Sequence, residues 1–139
     1  GAAARGGATR SDVIIDDEEI LFPKVIHPNI LISLTQESYN KYSSIIRPGG
    51  LLIVDSGYVK TARKVDARHV SLPIYDTVMR EINNPVVFNI CVLGTLIGMT
   101  KVVKSESILK VLKTSIPHDF IEMNERALNI GLEMGGRTA

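Results

Sequence analysis

Cysteine is almost missing from this sequence: Cys91 stands alone, inside an apolar run. One thiol cannot close an intrachain disulfide, and it cannot supply the ligands of a zinc site or an iron–sulfur cluster. A reducing, cytoplasmic compartment suits such a chain. Excess charge of either sign is missing as well. Lysine and arginine total 16 against 15 acidic residues, a formal net charge of +1, and no basic stripe emerges to grip nucleic acid. Long apolar runs are absent too. The longest, Val86 to Met99, is broken by Asn89, Gly94 and Gly98 and falls short of the about 20 residues a membrane span needs. No secretory signal pattern, Walker loop, metal-spaced His/Cys cluster or nucleophile elbow is visible. The sequence therefore predicts a module without a complete catalytic site of its own.

What remains is an ordinary globular composition, 45% hydrophobic and 22% charged over 139 residues. That length can bury a core, and neither repeats nor low-complexity tracts divide it. One domain over residues 1–139 is expected. Ser11 to Ile15 and Ile20 to Phe22 flank the acidic run Asp16-Asp17-Glu18-Glu19 and suggest a strand and its return, a hairpin. Ile30 to Leu34 and Leu51 to Asp55 are continuous apolar runs of the kind found in strands buried on both faces of a parallel sheet. Between them, Thr35 is placed to cap a helix with Glu37 in its first turn. Arg47-Pro48-Gly49-Gly50 ends that helix with glycine at the C-cap. The result is a compact βαβ unit with a right-handed crossover.

Further on, residues 60–68 read as a surface loop and His69 to Pro73 as a short strand. Helices are expected over Asp76–Ile82, Val86–Met99, a segment capped by Ser105, and about Asp119–Met134. The fold class is α/β, with a Rossmann-like, mostly parallel sheet and flanking helices.

Chemistry-bearing candidates are few. Arg5-Gly6-Gly7 with Arg10 combines glycines, which let backbone N–H groups approach an anion, with two forked guanidinium donors. Asp55-Ser56-Gly57 follows the carboxyl end of an inner strand, the edge at which doubly wound sheets bind ligands. An Asx-type turn, with Gly57 supplying positive φ, is the plainer account of those three residues. Thr35-Gln36-Glu37 holds the corresponding edge of the preceding strand, where capping is the plainer account. His27, His69 and His118 are scattered and read as surface or loop residues. Gly94 and Gly98 lie on one helix face and call for close approach by another element, either this chain's own sheet or another subunit. Asn89 needs hydrogen-bond partners if it is buried.

The opening GAAARGGATRSDVII resembles the segment after the first helix in the γ-type subunit of 2-oxoacid:ferredoxin oxidoreductases. Further matches follow in order: Asp17-Glu18-Glu19-Ile20 with Phe22-Pro23, Pro28 to Ile32 with Gln36 to Tyr39, and Pro48-Gly49-Gly50 with Asp55-Ser56. Asn89 with Leu93-Gly94, and Asn124 to Gly131, complete the series. The resemblance implies a Rossmann-like subunit in an assembly that oxidatively decarboxylates a 2-oxoacid to an acyl-CoA and reduces ferredoxin. It places thiamine diphosphate and iron–sulfur clusters on partner subunits, with this subunit near coenzyme A. Arg5, Gly6, Gly7 and Arg10 are where it would locate anion contacts, and Asp55 and Ser56 are second choices. The Gly-Ala-Ala-Ala opening looks nearest to the 2-oxoglutarate type. Family members place a strand, a Gly-rich turn and a helix before Arg-Gly-Gly. That unit is absent here, so an N-terminally truncated domain is expected. A free-standing Rossmann-like nucleotide- or flavin-binding protein is the alternative, and it would require the Gly-rich turn. A third reading is a scaffold with no ligand contact, for which arginine substitutions leave kinetics unchanged.

Overall fold

The computed structural model describes residues 10–22, 24–62 and 64–139. It divides into two compact units, Gly1–Ser71 and Leu72–Ala139.

The first unit is built on a three-stranded parallel sheet in the order β1 (Ile30–Ser33), β2 (Gly50–Asp55), β3 (Ala67–Leu72). β1 and β2 pair in parallel with Ile30 opposite Leu51 and Ser33 opposite Val54. The apolar run in β2 does what a doubly covered strand requires: Leu52, Ile53 and Val54 are wholly buried, each stabilising by roughly 1.5–3 kcal/mol relative to exposure. Helix α1 (Gln36–Tyr42) makes the crossover between β1 and β2 and continues as a 3-10 turn through Ile45. Thr35 caps it in a capping box with Ser38, as expected. Tyr39 is its buried anchor and packs with Leu52, Val54 and Val59.

Two local expectations are corrected. Gly49 does not cap the helix. Its φ is +78°, and Gly50 N–H donates to Arg47 O at 2.9 Å, so Pro48 and Gly49 form a turn that needs positive φ at its third residue. The hairpin over residues 11–22 does not form either: no strand or helix occurs between residues 10 and 29 among the described residues. A tight hairpin wants Asn or Gly at its turn, and this turn is four adjacent acids that repel one another. The Asp16 carboxylate instead accepts the Glu18 N–H. Val13 and Leu21 stay exposed at 76% and 84%.

The second unit is helical: α2 (Ile74–Glu81), α3 (Phe88–Thr100), α4 (Ser105–Ser115) and α5 (His118–Gly136). A 3-10 turn, Pro85–Val87, leads into α3, and the Asn84 side chain caps it. Lys104 rather than Ser105 occupies the N-cap position of α4, and no side-chain cap bond forms there. The expectation that the sheet would meet Gly94 and Gly98 is corrected: the element packed against them is helix α5. A Cβ on Gly94 would sit 2.3 Å from Leu128 O, and one on Gly98 2.3 Å from Leu132 O. Gly131 and Gly135 reciprocate against Cys91 O and Thr95 O, both at 2.2 Å. These contacts advance in the same sense along both helices, so α3 and α5 run parallel with their backbones touching through four glycines. Asn89 lies on the exposed side and requires no buried partner. Ile74, Val78, Val87, Cys91, Ala127 and Met134 form the core of this unit.

Alanine normally favours a helix over glycine by about 1 kcal/mol. At Gly131 the backbone clash outweighs that gain, and Gly131→Ala is expected to destabilise by about 1–3 kcal/mol in urea unfolding. Gly136→Ala is the control. Its Cβ would meet only Gly98 O, at 4.0 Å, and it is expected to leave the midpoint unchanged or raise it.

Candidate functional site

The parallel pairing of β1 and β2 puts the turn after each strand on one edge of the sheet. Asp55 ends β2 and is wholly buried. Its Oδ1 accepts the Gly57 N–H at 2.9 Å, and its backbone oxygen accepts from Tyr58 and Val59 at 3.2 and 2.9 Å. The Asx-type turn expected from the sequence is therefore present. The expected positive φ at Gly57 is not, since Gly49 is the glycine with positive φ among the described residues. Ser56, Tyr58 and Lys60 face outward while Val59 turns into the core.

The sequence placed Gln36 at this edge beside the Thr35 cap, but not its pairing with Lys60. Its carboxamide pairs with the backbone of Lys60 in both directions: Oε1 accepts the Lys60 N–H at 2.7 Å, and Nε2 donates to Lys60 O at 3.2 Å. Nε2 also donates to Asn40 Oδ1 at 3.0 Å. The first turn of α1 is thus fastened to the segment that leaves β2, across 24 residues of sequence. The only local signal was a Gln next to a cap, and that carries no information about so distant a partner.

Of the arginine cluster, Arg5, Gly6 and Gly7 lie outside the described residues. Arg10 forms a clasp. Its Nε and Nη2 donate to the two carboxylate oxygens of Asp12 at 2.7 and 3.0 Å, and Nη2 also donates to Val25 O at 2.6 Å. The Val25 N–H returns to Asp12 Oδ2 at 3.3 Å. The guanidinium also stacks 5.4 Å from the ring centre of Tyr42, the last residue of α1. Arg10 therefore sits at the far end of α1 from Gln36, about 10 Å away along a seven-residue helix. The structure does not bring Arg10 together with Asp55 and Ser56.

An open cleft of about 410 Å³ lies beside Ser43, Pro48, Lys64 and Asp66. None of the chemistry-bearing candidates, Arg10, Asp55, Ser56 or the histidines, lines it. His27 and His69 are exposed and meet backbone oxygens of Ile45 and Val65, and His118 opens α5 in an exposed position. Among the described residues no group of three His, Cys, Asp or Glu side chains could hold a metal ion. No helix there is long and apolar enough to cross a membrane.

Residues 1–134 match the family described as pyruvate ferredoxin/flavodoxin oxidoreductase. The chain is 41% identical over 136 residues to 2-oxoglutarate synthase subunit KorC of Methanocaldococcus jannaschii, covering 96% of this chain and 73% of that one. It is 34% identical over 140 residues to the KorC subunit of Methanothermobacter marburgensis, covering 96% and 75%. The crystal structure of the keto/oxoacid ferredoxin oxidoreductase γ subunit from Geobacter sulfurreducens PCA superposes with a TM-score of 0.73 at 31% identity. That match takes in 78% of this chain and 64% of the Geobacter chain, so this chain spans less than two thirds of its structural relative.

The clasp has a consequence in acid. The hydrogen bond from Arg10 holds the Asp12 carboxyl below its ordinary value, with the Val25 N–H acting in the same direction. A carboxyl depressed in this way contributes stability above its unfolded value, and the contribution is lost as pH falls through the folded value. Carboxyl NMR should place the Asp12 midpoint below about 3.9, the free aspartate value, and Arg10→Met should move it back up. A midpoint that ignores the substitution would dissolve the clasp.

Proposed function

Because this chain belongs to the pyruvate ferredoxin/flavodoxin oxidoreductase family, we propose that it is the γ-type subunit of a cytoplasmic 2-oxoacid:ferredoxin oxidoreductase, one acting on 2-oxoglutarate. The observation that carries this reading is the family match over residues 1–134 together with 41% identity to a 2-oxoglutarate synthase subunit. The assembly oxidatively decarboxylates the oxoacid, transfers the acyl group to coenzyme A and passes the electrons to ferredoxin. Both compact units belong to one γ-type domain in this reading.

Iron–sulfur clusters do not fit this chain. Its one cysteine is wholly buried, and a cluster takes several thiolates. In this reading the clusters and thiamine diphosphate are held by partner subunits. The chain itself contributes binding and shape near coenzyme A. Arg5, Gly6, Gly7 and Arg10 are the residues proposed for anion contact, with Asp55 and Ser56 in reserve. The engagement of the Arg10 guanidinium by Asp12 and Val25 leaves Arg5 as the arginine on which that contact chiefly rests. The free-standing nucleotide-binding alternative lacks support from any of the relatives.

Affinity purification of the full-length tagged protein from its native host, read by mass spectrometry, tests the assembly. Recovery of a thiamine-dependent subunit and an iron–sulfur subunit is expected, and repeated recovery of a lone protein would sink the proposal. In the reconstituted complex, Arg5→Ala should raise the KM for coenzyme A about tenfold, the equivalent of one charge-assisted contact, with assembly intact. Unchanged kinetics would remove Arg5 from the site.

A further inference from the structure

We infer that Lys60 is an anion-contacting residue at the carboxyl edge of the sheet, and that Gln36 is the residue that positions it. The inference rests on the γ-subunit reading for the identity of its ligand. Ligands of open parallel sheets gather outside the carboxyl ends of the strands, and Lys60 is a cation held at that edge by a dedicated device.

Among its described residues the segment leaving β2 has no helix or strand to shape it until Ala67. Two anchors do so instead. Asp55 gathers the N–H groups of Gly57, Tyr58 and Val59 on its carboxylate and backbone oxygens. One residue later, Gln36 takes both backbone groups of Lys60. A carboxamide placed in this way imitates a neighbouring strand. It fixes the peptide on each side of the Lys60 Cα, and hence the direction in which the side chain leaves. The third bond of Gln36, to Asn40 one helical turn away, fixes the carboxamide in turn.

The ammonium itself is left available. Lys60 is exposed and makes no ion pair among the described residues, although Glu37 occupies the same first turn of α1. A lysine with a fixed backbone and an ammonium that makes no ion pair among the described residues suits a phosphate or a carboxylate group. The reaction supplies both chemistries, in coenzyme A and in the oxoacid, and kinetics can tell them apart.

The test uses the complete reconstituted complex. Lys60→Ala should raise the KM for one anionic substrate about tenfold with kcat retained, and Lys60→Arg should restore it. A rise for coenzyme A assigns the anion to its phosphates, whereas a rise for the oxoacid assigns it to the carboxylate. Gln36→Ala should raise the same KM, and amide exchange at Lys60 should quicken in that variant alone. If both KM values stay at wild type in Lys60→Ala, the inference is overturned. It is also overturned if kcat falls with KM unmoved, because that marks a structural role. Failure of the wild-type chain to join an active complex would instead count against the γ-subunit reading, and it is recognised before any variant is compared.

Discussion

Two parallel strands must be entered from the same end, and in the sheet unit everything else follows from that requirement. The chain leaves β1 at Ser33, has to return along the length of the sheet, and enters β2 at Gly50. Helix α1 and its 3-10 extension are the return path, closed at one end by the Thr35 capping box and at the other by the turn at Pro48 and Gly49. Because the strands run together in register, their carboxyl ends open side by side. The first turn of α1 then lies beside the residues that leave β2, and a glutamine can bridge them. The bridge costs no buried unpaired group, since each backbone group of Lys60 meets its complement on the carboxamide.

The helical unit is governed by a different constraint, the distance of closest approach between two backbones. With Cβ atoms at positions 94, 98, 131 and 135, α3 and α5 could not lie against each other as they do. Weak Cα–H contacts to facing carbonyls accompany such geometry, but the larger effect is the dispersion contact of two closely packed helices. Glycine here sacrifices helix propensity for proximity. A helix as apolar on all sides as α3 can afford this only with neighbours to cover it.

What could be read from the sequence was what local chemistry decides. Continuous apolar runs gave β1 and β2 to within a residue at each end. Thr35 announced a cap, and the four glycines' need for a close partner was legible at Gly94 and Gly98. Errors arose where two local grammars share the same letters. Pro-Gly-Gly after a helix reads as a C-cap until the 3-10 extension shows the helix ending earlier. Apolar triplets around an acidic turn read as a hairpin, yet a two-stranded hairpin is marginal without a third strand, and four adjacent acids repel one another and supply no glycine for a tight turn. The bridge from Gln36 to Lys60 was illegible for another reason. The glutamine's partner is 24 residues away and offers only a backbone, so no pairing of residue types could have disclosed it. The identity of α5 as the partner of α3 is of the same kind.

The separation of Arg10 from the carboxyl edge bears on how the two candidate contacts divide their work. The sequence offered Arg10 for its forked donors and Asp55 and Ser56 for their place at the carboxyl edge of a strand, two separate arguments. In the fold they stand at opposite ends of α1, about 10 Å apart along the helix, and Arg10 spends its guanidinium on Asp12 and Val25. A small carboxylate cannot bridge that distance. Contacts at both ends therefore belong either to one extended ligand laid along α1 or to separate tasks, with the clasp tying Arg10 and Asp12 to Val25 and the edge meeting the anion. The chemistry of the two places favours the second division. A bidentate arginine–carboxylate pair is already satisfied and has little to gain from a further anion, while a lysine with both backbone groups fixed and no ion pair among the described residues has more.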